Sequence, residues 1–334
     1  MRRGTVIFLV INLIIIGFLV NAFSTLIGLL FEDGGADAIL RSEIPAPGSN
    51  LIDNRTQIIP KIIHQTYKNA TIPAKWKAGQ QSCIDLHDDY EYKLWTDDMS
   101  REFIVTEYPW FTDTFDSYPF PIQRADAIRY FVLHFYGGIY IDLDDGCNRR
   151  LDPLLSYPAW LRRTIPTGIS NDAMGSVAQH PFFTHVIESL ASYNRNWGLP
   201  YISVMYSTGP LFLSVMWKEY LGTKREPMEH VRTLMPDEYS KHAWSFFNIS
   251  KGNSWHGKDA ETIFWMGKHW LLLTVSGFAI AGVVGACLWW AWSMWVMKAG
   301  RTSTGRTSAG RRKMGWWSRF SGGKDRYELV DRMA

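Results

Sequence analysis

Three aspartates that follow one short strand-like stretch are the residues of this chain best suited to metal chemistry. The stretch reads YGGIYIDLDD over 136–145 and contains Asp142, Asp144 and Asp145. In an extended chain the side chains of Asp142 and Asp144 point to the same side, where the two carboxylates repel each other. A divalent cation such as Mg²⁺ or Mn²⁺ relieves that repulsion, takes oxygen ligands and bridges to phosphates. It can then act as a Lewis acid on a departing diphosphate; the alternative interpretation is a solvated acidic turn.

Asp126 and Arg129 come shortly before this stretch in the chain. They lie three residues apart in a segment with helical pattern, so they are neighbours on one helix face. One interpretation is an ordinary intrahelical ion pair, which at a surface is worth roughly 0.3–0.5 kcal/mol. The functional interpretation is that the two residues hold sugar hydroxyls and phosphate beside the metal.

The segments that would position these residues alternate between strand and helix. We predict strands over 61–67, 90–96 and 138–143, and helices over 73–87 and 121–136, the last one closed by Gly137-Gly138. Asp97 and Asp98 can cap a further helix. Alternation of this kind favours an α/β fold with a mostly parallel sheet. Ligands of such sheets bind at the carboxyl ends of the strands, where both the acidic cluster and Trp95 fall.

Two apolar stretches flank this region, and each is long enough to cross a bilayer. The first, over 5–31, has no charged residue and is predicted to be an uncleaved membrane anchor. A cleaved signal peptide is the alternative, although its apolar part usually has only about 7–15 residues. The second, over 270–297, also has no charged residue and ends in four tryptophans, which favour the membrane–water boundary. A buried core helix is the alternative there.

The charges beside these stretches predict the topology. Basic residues precede the first stretch and follow the second, and excess Lys and Arg stay on the cytosolic side, so both termini are expected in the cytosol and the middle in the lumen. Three glycosylation sequons, at Asn54, Asn69 and Asn248, all lie in the middle segment. The net charge is only +3, which does not indicate nucleic acid as a partner.

The chain therefore divides into six parts. They are a cytosolic N-terminus over 1–4, an anchor over 5–31, a lumenal stem over 32–58, a catalytic domain over 59–265, a second membrane helix over 270–297 and a basic, disordered cytosolic tail over 298–334. Of three cysteines, Cys287 lies in the second apolar stretch, and Cys83 and Cys147 share the lumenal side and could form a disulfide.

Four ordered segments give the chain a family resemblance. IPKIIHQ at 59–65, YKLW at 92–95, RADAIRY at 124–130 and YGGIYIDLD at 136–144 resemble the DXD-sugar-binding glycosyltransferases. This family includes yeast initiating α-1,6-mannosyltransferases and the catalytic subunits of inositol phosphoceramide mannosyltransferase. Asn171-Asp172, His180-Pro181, Thr208-Gly209-Pro210 and Ser254-Trp255-His256 also resemble its pattern. The resemblance implies a GT-A-type nucleotide-sugar-binding fold, a bound Mn²⁺ (or Mg²⁺) and transfer with retention of configuration.

The resemblance also implies roles for individual residues. Asp144 would contact the metal directly, Asp142 would help to hold metal and donor ribose, and His256 is a possible further ligand. Asp126 and Arg129 would contact the donor sugar. The remaining contacts to the nucleotide sugar would come from the first two strands and from a C-terminal loop that closes over the diphosphate, through His64, Gln65, Trp95, Ser254 and Trp255.

The second apolar stretch favours the sphingolipid branch of this family. The resemblance then implies transfer of mannose from GDP-mannose to inositol phosphoceramide in the Golgi membrane, with a regulatory membrane subunit as partner. The alternatives are an α-1,6-mannosyltransferase acting on protein N-glycans and an inactive regulatory or binding subunit. A glycosidase is less suited, because it needs two carboxylates across the sugar, about 5–9.5 Å apart.

Overall fold

One mixed sheet forms the centre of the fold. The computed structural model describes residues 3–46, 54–249 and 257–304 of the chain. Within those residues, eight strands are present: β1 (Ile62–Thr66), β2 (Glu91–Trp95), β3 (Gly138–Ile141), β4 (Asp145–Cys147), β5 (Ala159–Arg163), β6 (Ile169–Ser176), β7 (Val231–Leu234) and β8 (Phe247–Ile249). Six of these described strands pair in the order β2-β1-β3-β6-β5-β7, and β4 pairs with β8 in a small second sheet.

Helices cover the sheet and extend beyond it. The described helices are α1 (Arg3–Ala22), α2 (Ser24–Leu30), α3 (Ala74–Leu86), α4 (Asp97–Glu107), α5 (Thr112–Ser117), α6 (Pro121–Tyr136), α7 (Pro181–Tyr193), α8 (Pro200–Ser207), α9 (Pro210–Leu221), α10 (Pro236–Tyr239), α11 (Lys258–Lys268) and α12 (Trp270–Thr304).

The sheet is mostly parallel, as the sequence predicts. β1 is parallel to both β2 and β3, and β5 is parallel to β7. β6 is antiparallel to its neighbours β3 and β5, so it is the one described strand of the large sheet that runs the other way. The carboxyl ends of β1, β2 and β3 consequently meet at one edge of the sheet.

The predicted elements of the first half are confirmed within a few residues at their ends. The exception is the start of α4, where Thr96 is the N-cap and its hydroxyl accepts a hydrogen bond from the Met99 amide. Asp97 and Asp98 lie in the first turn instead, where their charges favour the positive end of the helix.

Gly137 and Gly138 end α6 and start β3 at positions that only glycine fits. Both have positive φ, 68° and 95°, and a Cβ on Gly138 would lie 2.7 Å from the Ile62 carbonyl oxygen. The predicted stop is therefore confirmed, and the close approach sets β3 directly against β1.

The two sheet faces carry separate hydrophobic clusters because side chains alternate along each strand. Ile139 and Ile141 join one cluster, whereas Tyr140 between them joins the other, which also contains the buried face of α6. Packing on both faces fixes the register of β3 and therefore the position of the aspartates that follow it.

The first apolar stretch, predicted as one membrane anchor over 5–31, is not one straight helix. The helix breaks between α1 and α2, which are bent by 68°. α1 presents exposed apolar side chains, whereas Leu29 of α2 is buried in a core cluster. The Leu29 carbonyl accepts a hydrogen bond from the Thr167 hydroxyl. α2 therefore belongs to the packed domain.

The predicted stem over 32–58 is packed against the domain wherever it is described. Arg163 donates hydrogen bonds to the carbonyl oxygens of Glu32 and Asp33, at 3.0 and 2.9 Å. Ile39 and Ile44 are buried further along the same segment. This part of the chain therefore does not lift the domain away from the preceding helices.

The chain divides into two compact units, 1–263 and 264–334. α12 dominates the described part of the second unit. Among the described residues, its stretch Trp270–Trp295 is long and apolar enough to cross a membrane by itself, whereas α1 and α2 reach this standard only as a bent pair.

A disulfide joins Cys83 of α3 to Cys147 of β4, which confirms the pairing that the sequence left open. The bridge holds α3 beside the residues that immediately follow the aspartate cluster. Such a bond is consistent with an oxidising compartment.

Removing this bond is expected to destabilise the domain. A double Cys83→Ala, Cys147→Ala variant should lose about 2–4 kcal/mol in the free energy of unfolding, because the bridge closes a loop of 64 residues. Thermal unfolding in detergent measures the effect. Cys287→Ala, at an exposed position of α12, is the control and should unfold like wild type. Equal melting temperatures for all three proteins would contradict the expectation.

Candidate active site

A cavity of about 1050 Å³ opens at the carboxyl ends of β1, β2 and β3. Thr66 and Trp95 line it from the ends of the first two strands, and Asp142 and Asp144 line it from the loop after β3. The first turns of α6 contribute Asp126 and Arg129. Four residues predicted from the sequence to act together, Asp126, Arg129, Asp142 and Asp144, are thus brought to one cavity.

Arg129 joins the helix to the loop at the bottom of this cavity. Its guanidinium lies 2.9 Å from a carboxylate oxygen of Asp126 and 3.2 Å from one of Asp142, and it donates to the Asn171 carbonyl at 2.7 Å. It also lies over the Tyr140 ring, 4.7 Å from the centroid. Arg129 and Asp126 are buried, so this is not the surface ion pair that the sequence allowed as an alternative.

Neutral donors hold the same two carboxylates from their other sides. The Tyr140 hydroxyl donates to Asp142 at 2.6 Å, and the Asn171 amide donates to Asp126 at 3.0 Å. The Thr208 hydroxyl donates to the second oxygen of Asp126 at 3.3 Å. Asn171 and Thr208 come from segments that the sequence marked only by family resemblance, and the structure gives both a contact.

Burial and mutual repulsion make these carboxyl groups weak acids. Burial, aided by the charges of Asp144 and Asp172, raises the pKa of Asp142 to about 7, although Arg129 opposes the rise. Burial also raises the pKa of Asp126 to about 6, again against Arg129. Burial and the neighbouring Asp172 raise the pKa of Asp144. A cation placed beside Asp142 and Asp144 would relieve this unfavourable charge.

The third aspartate of the cluster has a different partner. Asp145 is buried and forms a close ion pair with Arg162 of β5. The Arg162 guanidinium also lies 3.3 Å from the Asp172 carboxylate. Sequence reasoning missed Arg162; the available signal was an arginine in the apolar run AWLRR. This pair turns Asp145 towards the protein and separates its role from that of Asp142 and Asp144.

His64 and Gln65 lie beneath the cavity and are not among the residues that line it. The His64 ring lies 2.9 Å from the Gly137 carbonyl oxygen, and the Trp95 indole donates to its other nitrogen at 3.1 Å. The Gln65 side chain accepts a hydrogen bond from the Tyr92 hydroxyl. The geometry gives them a supporting role under the wall formed by Thr66 and Trp95.

Ser254, Trp255 and His256 lie outside the described residues. Within 3–46, 54–249 and 257–304, no group of three or more His, Cys, Asp or Glu side chains is arranged to hold a metal. Two carboxylates do suit Mg²⁺ or Mn²⁺, because these ions are commonly held by one or two carboxylates together with substrate phosphates and water. Asp142 and Asp144 fit that description.

Comparison with known proteins agrees with this arrangement. Residues 73–160 match the family model for a glycosyltransferase sugar-binding region containing a DXD motif. The chain is 51% identical over 282 residues to mannosyl phosphorylinositol ceramide synthase CSH1 of Saccharomyces cerevisiae, covering 83% of this chain and 75% of that protein. It is 53% identical over 229 residues to inositol phosphoceramide mannosyltransferase 3 of Schizosaccharomyces pombe, covering 68% and 64%.

More distant similarities were also found. The chain is 31% identical over 119 residues to the initiation-specific alpha-1,6-mannosyltransferase of S. cerevisiae, covering 32% of this chain and 24% of that protein. The UDP-bound glycosyltransferase domain from the YGT toxin superposes with a TM-score of 0.41 at 8% identity, over 58% and 84% of the two chains. At that level of similarity the fold assignment rests on the sheet topology.

The matched DXD region and the Asp126–Arg129 pair beside it define the protein class as a DXD-containing glycosyltransferase. With half of its residues identical to CSH1 over most of both chains, the chain belongs to the family of the mannosyl phosphorylinositol ceramide synthases. The family resemblance found in the sequence is confirmed.

Metal affinity is expected to depend on pH. Because the pKa of Asp142 is raised to about 7, a metal binding below that pH must displace a proton, and affinity should fall by up to about tenfold per pH unit. Mn²⁺ titrations by calorimetry at pH 8, 7 and 6 measure this dependence. Asp113→Asn, an exposed position outside the cavity, is the control and should follow the wild-type profile. An affinity that is constant from pH 8 to 6 would contradict the expectation.

Removal of Arg129 is expected to cost far more stability than removal of a surface arginine. Arg129→Ala leaves the carboxylates of Asp126 and Asp142 without their cation and should lower the free energy of unfolding by about 3–5 kcal/mol. Arg101, paired with Asp116 at an exposed site, is the matched control, and Arg101→Ala should change the free energy of unfolding little. Denaturant unfolding of both variants measures the difference in the free energy of unfolding. Equal losses for Arg129→Ala and Arg101→Ala would contradict the role of Arg129 as the cation that stabilises the two carboxylates.

Proposed function

We propose that this protein is a retaining mannosyltransferase of GT-A type that moves mannose from GDP-mannose to the inositol headgroup of inositol phosphoceramide. The observation that carries the proposal is the floor of the cavity, where Arg129 bridges Asp126 and Asp142 beside Asp144. The identity to synthases that are named for this product supports the choice of sugar and acceptor.

The proposed site uses Asp142 and Asp144 to hold Mn²⁺ or Mg²⁺. When bound, the metal neutralises negative charge on the departing nucleoside diphosphate. Asp126 has two carboxylate oxygens near the cavity and can accept hydrogen bonds from donor-sugar hydroxyls. Arg129 keeps the carboxylates of Asp126 and Asp142 apart and oriented, so little rearrangement is needed when the donor arrives. Trp95 and Thr66 supply a wall for the nucleotide at the ends of β2 and β1.

A lipid acceptor is supported by how the N-terminal segment is attached. Arg162 holds Asp145 and Asp172 beside the cavity, and the next residue, Arg163, binds the chain that leaves α2. The end of β5, which carries Arg162 and Arg163, thus contacts both the aspartate cluster and the chain that follows the N-terminal apolar helices. A site tied so closely to these helices suits a headgroup at the bilayer surface, since tethering raises the effective concentration of a membrane-bound acceptor.

The same proposal includes a place in the cell. Both apolar segments would cross the Golgi membrane, with the catalytic domain in the lumen and both termini in the cytosol. The three sequon asparagines, Asn54, Asn69 and Asn248, are exposed, which is compatible with a lumenal domain. A regulatory membrane subunit is the proposed partner, with the small residues of α12 as a packing surface.

Loss of one aspartate tests the reaction directly. Microsomes with wild-type protein, supplied with GDP-mannose and inositol phosphoceramide, should form the mannosylated lipid, and Asp144→Ala should reduce the rate at least about 100-fold because the metal loses a ligand. EDTA should abolish wild-type transfer, and added Mn²⁺ should restore it. Asp113→Asn again serves as control.

Other outcomes would redirect the assignment. Transfer that survives Asp144→Ala would remove the metal role of this residue. Transfer of mannose only to protein N-glycans would identify an α-1,6-mannosyltransferase. No transfer to either acceptor would favour a binding or regulatory subunit.

A further inference from the structure

A second, smaller space opens beside the catalytic cavity. It has a volume of about 350 Å³ and lies between the start of α6 and the start of α8. Pro121, Ile122 and Tyr201 line both spaces, so the two lie side by side. Phe120, Pro200 and Val204 complete a mainly apolar lining. We name this space the α6–α8 groove.

The polar groups of the groove have partners within the protein. The Asp259 carboxylate accepts a hydrogen bond from the Tyr201 amide at 2.6 Å, which caps the first turn of α8. The groove is therefore suited to apolar atoms, whereas the adjoining cavity is lined by the carboxylates and Arg129 of the donor site. The polar catalytic cavity thus has the mainly apolar α6–α8 groove beside it.

Arg124 lies on α6 one turn after Pro121, which lines both spaces. It follows Pro121 and Ile122 in the first turns of α6 and lines the polar cavity. One of its guanidinium nitrogens donates to the Tyr118 carbonyl at 2.7 Å, and no carboxylate of the described residues lies within ion-pair distance of it. Asp97 and Asp116 act on it only through longer-range attraction. The guanidinium has further donors available for an anion.

The outer end of the groove continues into exposed apolar surface. Leu199 and Trp197 precede α8 and are about half exposed. The Trp197 ring packs on Tyr206, 5.2 Å between centroids, which holds it at the surface. Exposed tryptophan is typical of a membrane–water boundary. Along the chain, Asp259 precedes the apolar helix that begins at Trp270 by eleven residues.

From this neighbouring arrangement we propose that the α6–α8 groove binds the first part of the apolar chains of the lipid acceptor, and that Arg124 binds its phosphodiester. The inositol ring then reaches into the polar cavity. The inference rests on the proposed function and adds the site that recognises the lipid portion of the acceptor. A space of this size is at the lower end of about 300–1,000 Å³ for small-molecule pockets, so it holds part of a lipid and leaves the rest in the bilayer.

Two acceptors with the same headgroup test this assignment on the full chain. Inositol phosphoceramide has headgroup, phosphate and apolar chains, whereas myo-inositol 1-phosphate lacks the chains. Phe120 lines the groove and not the catalytic cavity, so Phe120→Asn should lower kcat/KM for the lipid by about 10-fold through lost apolar contact and should leave kcat/KM for inositol phosphate unchanged. Arg124→Gln should lower both values, because both acceptors carry the phosphate. Neither variant should change KM for GDP-mannose.

Two further variants control for folding. Phe120→Leu keeps an apolar side chain and should retain most of the preference for the lipid. Met228→Asn replaces an exposed methionine that lines neither space and should behave as wild type. A melting temperature for each variant accompanies the kinetics.

The possible results separate the two proposals. If wild type transfers mannose to the lipid and Phe120→Asn leaves the ratio of kcat/KM for the lipid to kcat/KM for inositol phosphate unchanged, the groove assignment is overturned and the proposed function stands. A raised KM for GDP-mannose in either variant would assign the groove or Arg124 to the donor and would also overturn the inference. Equal loss with both acceptors in Phe120→Asn, together with a lower melting temperature, would show a structural role only and would overturn the groove assignment. Wild type that transfers mannose to neither acceptor would overturn the proposed function, and the groove assignment would fall with it.

Discussion

The bridge formed by Arg129 is the interaction on which the site depends. It places one cation between two carboxylates that come from different elements, the helix α6 and the loop after β3. An isolated buried carboxylate is strongly unfavourable, so this cation stabilises both carboxylates and the loop that carries Asp142. Asp144 adds a further negative charge beside these two carboxylates. The site is thus prepared for a divalent ion while its shape is maintained by the protein's own charge.

Much of this arrangement was predictable because it follows from local rules. Period-two strands, a helix closed by two glycines and an Asp–Arg pair three residues apart place Asp126, Arg129, Asp142 and Asp144 at one sheet edge. What could not be predicted depends on contacts between distant segments. Asp145 looks equivalent to its neighbours in the sequence, yet it lies at the cavity wall in a buried ion pair with Arg162 of β5. The register shift between Leu161 and Arg162, which accompanies this contact, has no signal in the sequence that we could identify.

His64 and the first apolar stretch show a second limit of prediction from sequence. The polarity of a residue does not show which way its side chain points or whether it meets protein, bilayer or ligand. A histidine at the end of a strand suggested contact with a nucleotide, but its ring faces the protein and pairs with Trp95 and the Gly137 carbonyl. In the same way, an uncharged run suggested one continuous membrane span. Its last turns instead carry Leu29 into the protein core, because apolar side chains satisfy a core as well as a bilayer.

The docking of α2 also defines where the folding unit begins. Residues 24–46 supply a buried leucine and two buried isoleucines, and they receive hydrogen bonds from Arg163, Thr167 and Arg232. A soluble fragment cut at residue 59, after the expected stem, would leave those donors without acceptors and expose the apolar surface that the segment covers. A fragment that starts at Ser24 would keep the whole of this contact and omit only the exposed apolar helix α1. The packed domain therefore begins at α2, directly after the bend that follows Ala22 and well before the first strand of the sheet.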